Sequence, residues 1–174
     1  RNISTEDSTC FRDDCIAAEI TSVFIHGSYL VNIGSDTLHE KSINSLIQNL
    51  EAASSLGAQG VIFHGGSHKG AGLDAIFELA IATLKEVLNK SPDDVFLILE
   101  NSAGMGAHIG SSFTDIGRIL NAVDHPRMKI CLDTQHTFAA GYDIADITKI
   151  DNVITELNTE IGLSNLVAIH ANDS

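Results

Sequence analysis

Cysteine is sparse in this chain: Cys10, Cys15 and Cys131 are the only three in 174 residues. So thin and odd a set excludes a disulfide-stapled scaffold and fits a reducing compartment, the cytoplasm. Cations are few as well. Ten Lys and Arg against 23 Asp and Glu leave a formal charge of −13, which excludes a generally basic, nucleic-acid-coating surface. An anionic ligand would need local positive charge, for example from bound metal. No apolar run approaches the ~20 residues of a membrane-crossing helix. The polar opening RNISTEDST has neither a signal-peptide pattern nor an initial Met. No linker or low-complexity segment divides residues 1–174, which read as one domain. Its length allows a real core but is short for an eight-stranded barrel of about 250 residues.

What is present is an alternation. Short apolar runs rich in β-branched and aromatic residues stand at SVFI (22–25), GVIF (60–63), VFLIL (95–99), MKICL (128–132) and LVAI (166–169). Between them lie stretches with apolar residues three or four apart, one face of a helix. Ile43, Leu46, Ile47 and Leu50 mark the first, and Ile76, Phe77, Ala80, Leu84 and Leu88 the second. Ile116, Ile119, Leu120 and Val123 mark the third, and Ile147, Ile150, Ile154, Leu157 and Ile161 the fourth. An earlier helix is expected over about residues 13–19. Uniformly apolar strands alternating with amphipathic helices predict an α/β protein with a parallel sheet. It could close as a doubly wound sheet or as a (β/α) barrel. No G-x-G-x-x-G follows the first strand, which weakens the dinucleotide-binding version of the former.

Every one of these five strands delivers a metal-competent side chain at its carboxyl end: His26, His64, Glu100, Asp133 and His170. Eight His and 23 acidic residues in 174 make such a residue roughly one position in six. Five such tips in a row arise by chance on the order of once in several thousand. Parallel strands open their carboxyl ends on one face, where α/β proteins place their chemistry. A single buried His there is more often a hydrogen-bonded core residue, and a lone carboxylate more often a helix cap. Five together would bury polar groups without partners. Three imidazoles and two carboxylates suit zinc, with Mn²⁺ and Fe²⁺ also compatible. His136, three residues after Asp133, shares this face from a loop and is read as a further ligand. His68 in HGGSH is read as neighbouring the ligands or facing substrate, and His108 in SAGMGAHIG as a solvated loop residue.

The motifs HGSYLVNIG, FHGGSH, LENSAGMG, CLDTQHTFAAGYD and IHANDS, in this order and spacing, resemble successive signatures of the endonuclease IV family of zinc-dependent abasic-site endonucleases. The resemblance runs from about residue 15 to the end. It implies a partial TIM (β/α) barrel, about five consecutive β/α units of eight, whose carboxyl face holds three zinc ions in the family. His26 and His64 would hold the first zinc, Glu100 would bridge it to a second held by Asp133 and His170, and His136 would reach a third. Glu100, His26 and Asp133 would thus be catalytic. Tyr29 and Leu30 match residues that press on DNA at the lesion. His68 and Asn101, in loops after two of the strands, join them as expected substrate contacts.

Gly27 stands where the family usually has an acidic residue, Gly65 where it has proline, and Gln135 where it often has cysteine. The family's first two strands, the Asp-x-His pair completing the third zinc and a late glutamate have no counterpart, so a central portion of a longer barrel is expected. The implied reaction is hydrolysis of the phosphodiester 5′ to an abasic site in double-stranded DNA, weakened by the absent ligands. Two alternatives stay open: a xylose-isomerase-like sugar isomerase or epimerase, whose sites favour carboxylates, and a non-catalytic metal-binding remnant. Five parallel strands would also leave two open edges and an uncovered apolar inner face, which predicts self-association.

Overall fold

A computed structural model describes residues 3–105 and 107–173. Gly106 and Ser174, which belong to two of the motifs above, lie outside that range. Six α-helices and five strands follow one another as α1 (Thr5–Ala17), β1 (Phe24–His26), α2 (His39–Leu56), β2 (Gly60–His64), α3 (Leu73–Lys90) and β3 (Phe96–Glu100). Then come α4 (Phe113–Val123), β4 (Met128–Asp133), α5 (Thr134–Ala139), α6 (Ile147–Glu160) and β5 (Leu166–His170). The strands form one parallel sheet in the order β1-β2-β3-β4-β5, a half-barrel backed by helices.

Side chains alternate across a strand, so register decides what each face is made of. Val61, Phe63, Leu97, Leu99 and Ile130 point to the helices and pack against Leu46 and Leu50 of α2, Leu84 and Val87 of α3, and Ile116 and Ile119 of α4. Full burial of each such side chain contributes about 1.5–3 kcal/mol, and this convex core holds the sheet's curvature. The opposite face carries Ile62, Ile98 and Cys131, packed by Phe24, Phe96, Val167 and Ala168. Each strand-tip residue stands two positions beyond one of these inner residues, so all five tips face inward.

Three expectations need correction. The first helix begins eight residues early, at Thr5, because the Ser4 hydroxyl accepts the Asp7 N–H and caps it. His136 lies in a helix, α5, rather than in a loop. The Asp133 side chain accepts the His136 N–H at 2.8 Å and starts a turn that the hydrophobic pattern does not announce. The third is the inner face, which is open only in part, at the half-buried Phe24, Phe96, Val167 and Ala168. Ile62, Ile98 and Cys131 are 0–3 % exposed, since neighbouring strands bring Phe24, Phe96 and Val167 against them. The open edges are as expected, at β1 and β5, and Ile169 on the latter is 59 % exposed.

Two glycines set close approaches. Gly66 has φ +87°, and a Cβ there would stand 2.6 Å from the Asn32 Cα. The loops after β1 and β2 therefore interlock, helped by Asn32 Nδ2 donating to the Ser67 carbonyl at 3.0 Å. Gly117 lets α4 meet the end of α6, where a Cβ would land on the Glu160 carbonyl oxygen. Since that obstacle is backbone, Gly117→Ala is expected to lower unfolding stability by about 1–3 kcal/mol, read by urea denaturation. An unchanged midpoint would show that the two helices can separate freely.

Candidate metal centre

The convergence predicted from the strand tips centres on one carboxylate. Glu100 ends β3 with its side chain only 2 % exposed, and four imidazoles surround it. His26 Nε2 lies 3.0 Å from Oε2 and His64 Nε2 3.6 Å from the same oxygen. On Oε1 stand His170 Nδ1 at 3.0 Å and His136 Nδ1 at 3.4 Å. The rings crowd one another, with centroids of His26 and His64 5.3 Å apart and of His64 and His136 5.5 Å apart. Among the described residues no Lys or Arg pairs with Glu100. A buried charge without a cationic partner is costly, and such groups pair or coordinate metals.

Hydrogen bonds fix which ring nitrogens are available. His26 Nδ1 sits 2.9 Å from the Gly27 carbonyl, which can only accept, so Nδ1 carries the proton. Its Nε2 lone pair then faces the Glu100 carboxylate across 3.0 Å. Two lone pairs at that distance demand a cation between them, either a proton or a metal ion. The proton version is in keeping with the directions in which the surroundings push these groups. The Glu100 hydrogen bond raises the His26 pKa, against the lowering effect of burial. Burial lowers His64, outweighing the attraction of Glu100. On Glu100 itself burial pushes upward, but the hydrogen bond from His26 and the nearby His64 and His170 hold it below the usual range. The metal version fits as well. Ligands at about 2.0–2.1 Å from a tetrahedral ion stand about 3.3 Å apart, close to the spacings around Glu100.

Two three-residue groups result, His26–Glu100–His170 and His64–Glu100–His136, each with donor atoms within 4.8 Å of one another. Glu100 belongs to both, as a bridging carboxylate would. The resemblance pairs His26 with His64 on one ion, and these two imidazoles also share Oε2 of Glu100, while His136 and His170 share Oε1. Asp133 stands just outside, with Oδ1 3.8 Å from His136 Nδ1 and Oδ2 3.8 Å from His170 Nδ1. Its oxygens are drawn aside, Oδ1 by capping α5 and Oδ2 by the Asn172 amide at 3.2 Å.

Beside His64 and His136 opens a cavity of about 460 Å³, walled by Val31, Leu38 and Ile109. Tyr29 and Leu30 line it while remaining 82 % and 70 % exposed. His108, expected as a solvated loop residue, is exposed at the rim of this cavity, with its backbone bridged to Ser67. The other two expected substrate contacts are placed elsewhere. His68 Nδ1 accepts the Gly72 N–H at 3.1 Å and lines a separate recess with Lys69. Asn101 is 2 % exposed, with its carboxamide bonded to Asp133 and Thr137. Its position directly after a ligand gave no signal of that burial.

Known proteins share both the sequence pattern and the fold. The profile of a family described as xylose isomerase-like TIM barrel matches residues 2–174. A protein named "Probable endonuclease 4" from Natronomonas pharaonis is 38% identical over 175 residues, covering 99% of this chain and 62% of that protein. Another of that name, from Oleidesulfovibrio alaskensis, is 43% identical over 152 residues, covering 84% of this chain and 51% of its own length. The crystal structure of endonuclease IV from Thermus thermophilus superposes with a TM-score of 0.86 at 33% identity, over all of this chain and 61% of that one. A D-tagatose 3-epimerase-like protein, at TM-score 0.76 and 19% identity, covers 98% of this chain and 63% of its own and shares the fold. The chain spans about 62% of the length of the first of these relatives. It belongs to the xylose isomerase-like TIM-barrel family, and it is to the endonuclease IV proteins that its sequence and fold are similar.

Proposed function

We propose that this chain is the metal-holding part of a zinc-dependent DNA-repair endonuclease, a hydrolase of the phosphodiester 5′ to abasic sites. The observation behind this reading is the shared carboxylate: Glu100 stands in two imidazole groups at once. When bound, zinc supplies Lewis acidity that activates water near neutral pH and neutralises phosphate charge. Around it the chain's own residues have distinct tasks. His26, with its proton committed to Gly27, offers Nε2, and Glu100 holds two sites at one spacing. Tyr29 and Leu30 present exposed apolar surface at the mouth of the cavity, suited to a duplex opened where a base is missing. Lys41 and Lys69 lie in recesses that share Leu30 and Ser67, respectively, with that cavity. Among the described residues neither is in an ion pair, which leaves both for phosphates despite the acidic whole.

An imidazole-rich, oxygen-poor donor set argues against the sugar isomerase reading, and the similarity to the epimerase-like protein extends to the fold alone. No described helix is long and apolar enough to cross a membrane. The cysteines are free, in keeping with a cytoplasmic place for a single domain of residues 1–174.

Elemental analysis of the purified protein is expected to show roughly one to two equivalents of zinc, with Glu100→Gln losing most of it. Metal at background in the unmutated chain would remove the basis of the reading. Incision of a duplex with one abasic site is expected to be weak, since the described donors form two groups rather than three. It should leave a 3′-hydroxyl and vanish in Glu100→Gln. A zinc-loaded chain that cuts no better than this variant would instead be a non-catalytic remnant. Open edges at β1 and β5 should also make the protein self-associate. Light scattering checks this, and a monomer at all concentrations would contradict it.

A further inference from the structure

Asn101 uses every polar group it has. Its backbone N–H donates to the Cys131 carbonyl at 3.3 Å, extending the β3–β4 ladder by one residue. Side-chain Oδ1 accepts the Asp133 N–H at 2.6 Å. Nδ2 donates to Thr137 Oγ1 at 3.0 Å and to the Asp133 carbonyl at 3.4 Å. Thr137 Oγ1 in turn donates to the Asp133 carbonyl at 2.7 Å, and Thr137 is 0 % exposed. The Asn101 carbonyl lies 3.0 Å from His136 Nδ1 and, being an acceptor only, puts the proton there and leaves Nε2 bare. One residue thus touches the backbone of one candidate donor and the ring of another while following a third in sequence. Nothing in the cavity requires it, for it does not line that space.

We propose that Asn101 is a positioning residue: its carboxamide clamps the β3 tip to the β4 tip and α5, fixing Asp133 and His136 relative to Glu100. This rests on the metal reading of the site but not on DNA as substrate. Outer-shell hydrogen bonds set ligand orientation and tautomer, and losing one typically weakens metal binding about 10–100-fold. In Asn101→Asp the acceptor for the Asp133 N–H survives, while the donor to Thr137 becomes a charged acceptor. Thr137→Val removes the hydroxyl at nearly constant volume, and Thr137→Ser restores it.

The test is titration of the metal-free 174-residue chain with Co²⁺ alone, followed by its visible absorption, alongside thermal melting without metal. Unmutated protein and Thr137→Ser should bind with the same affinity and the same spectrum. Thr137→Val and Asn101→Asp should bind about 10–100-fold more weakly, with displaced or weakened bands. If Asn101→Asp does not fold, the two Thr137 variants decide. A lower melting temperature with unaltered affinity and spectrum would make the clamp merely structural and overturn the proposal. So would Thr137→Ser binding as weakly as Thr137→Val. An unmutated chain without Co²⁺ binding would overturn it together with the metal reading. Failure to cut DNA while Co²⁺ binds normally would touch the proposed function alone.

Discussion

A carboxylate placed out of water without a Lys or Arg is the constraint on which the rest of this structure turns. Glu100 is 1 % exposed as a residue, and the described groups within ion-pair reach are imidazoles. Only partners that can turn cationic or share a cation make such burial tolerable. Three strand tips, at His26, His64 and His170, and one short helix carrying His136 bring those partners in. The neighbouring thiol is affected as well: burial first, then Glu100, pushes Cys131 up to about 12.

The same sheet serves stability and chemistry on opposite faces. Helix-facing residues such as Phe63, Leu97, Leu99 and Ile130 are fully buried and supply the cohesive core. With that face holding the strands, the inner face can end each strand in a polar group. A thin apolar layer of Ile62, Ile98 and Cys131 underlies the strand-tip side chains. Register does the alignment: His64 pairs with Glu100, Glu100 with Cys131 and Asp133 with His170, so side chains on these pairs share a face.

Much of this was legible in the sequence because strands buried on both faces read as continuous apolar runs, and helices buried on one face repeat every 3.6 residues. The five tips could be named without a structure, since each follows an apolar run directly. Other features have no periodic signature. Residues 134–139, TQHTFA, form a helix because Asp133 caps them and Asn101 braces Thr137, both contacts that no periodicity announces. The N-terminal helix TEDSTCFRDDCIA has no apolar stripe, and its start is set by one serine hydroxyl. That Asn101 follows Glu100 into a loop is legible, but its hydrogen bonds to the Asp133 N–H and the Thr137 hydroxyl are not.

Asp133 shows how closely folding and metal holding are joined here. Its Oδ1 accepts the His136 N–H and so begins the helix that carries His136, yet the same atom also lies 3.8 Å from the His136 ring nitrogen. A carboxylate oxygen has two lone pairs and can serve a cap and a cation together. The cap takes one and leaves the other for a cation, while Oδ2 is held by the Asn172 amide. On the proposed reading, metal binding and the stability of α5 would be linked in both directions, since whatever holds the helix in place holds His136 with it. Asn101 and Thr137 stiffen that joint from the buried side, where water cannot substitute for either of them. The polar groups at these strand tips form one connected hydrogen-bonded unit, and a cation between His26 and Glu100 is the piece that would balance its charge.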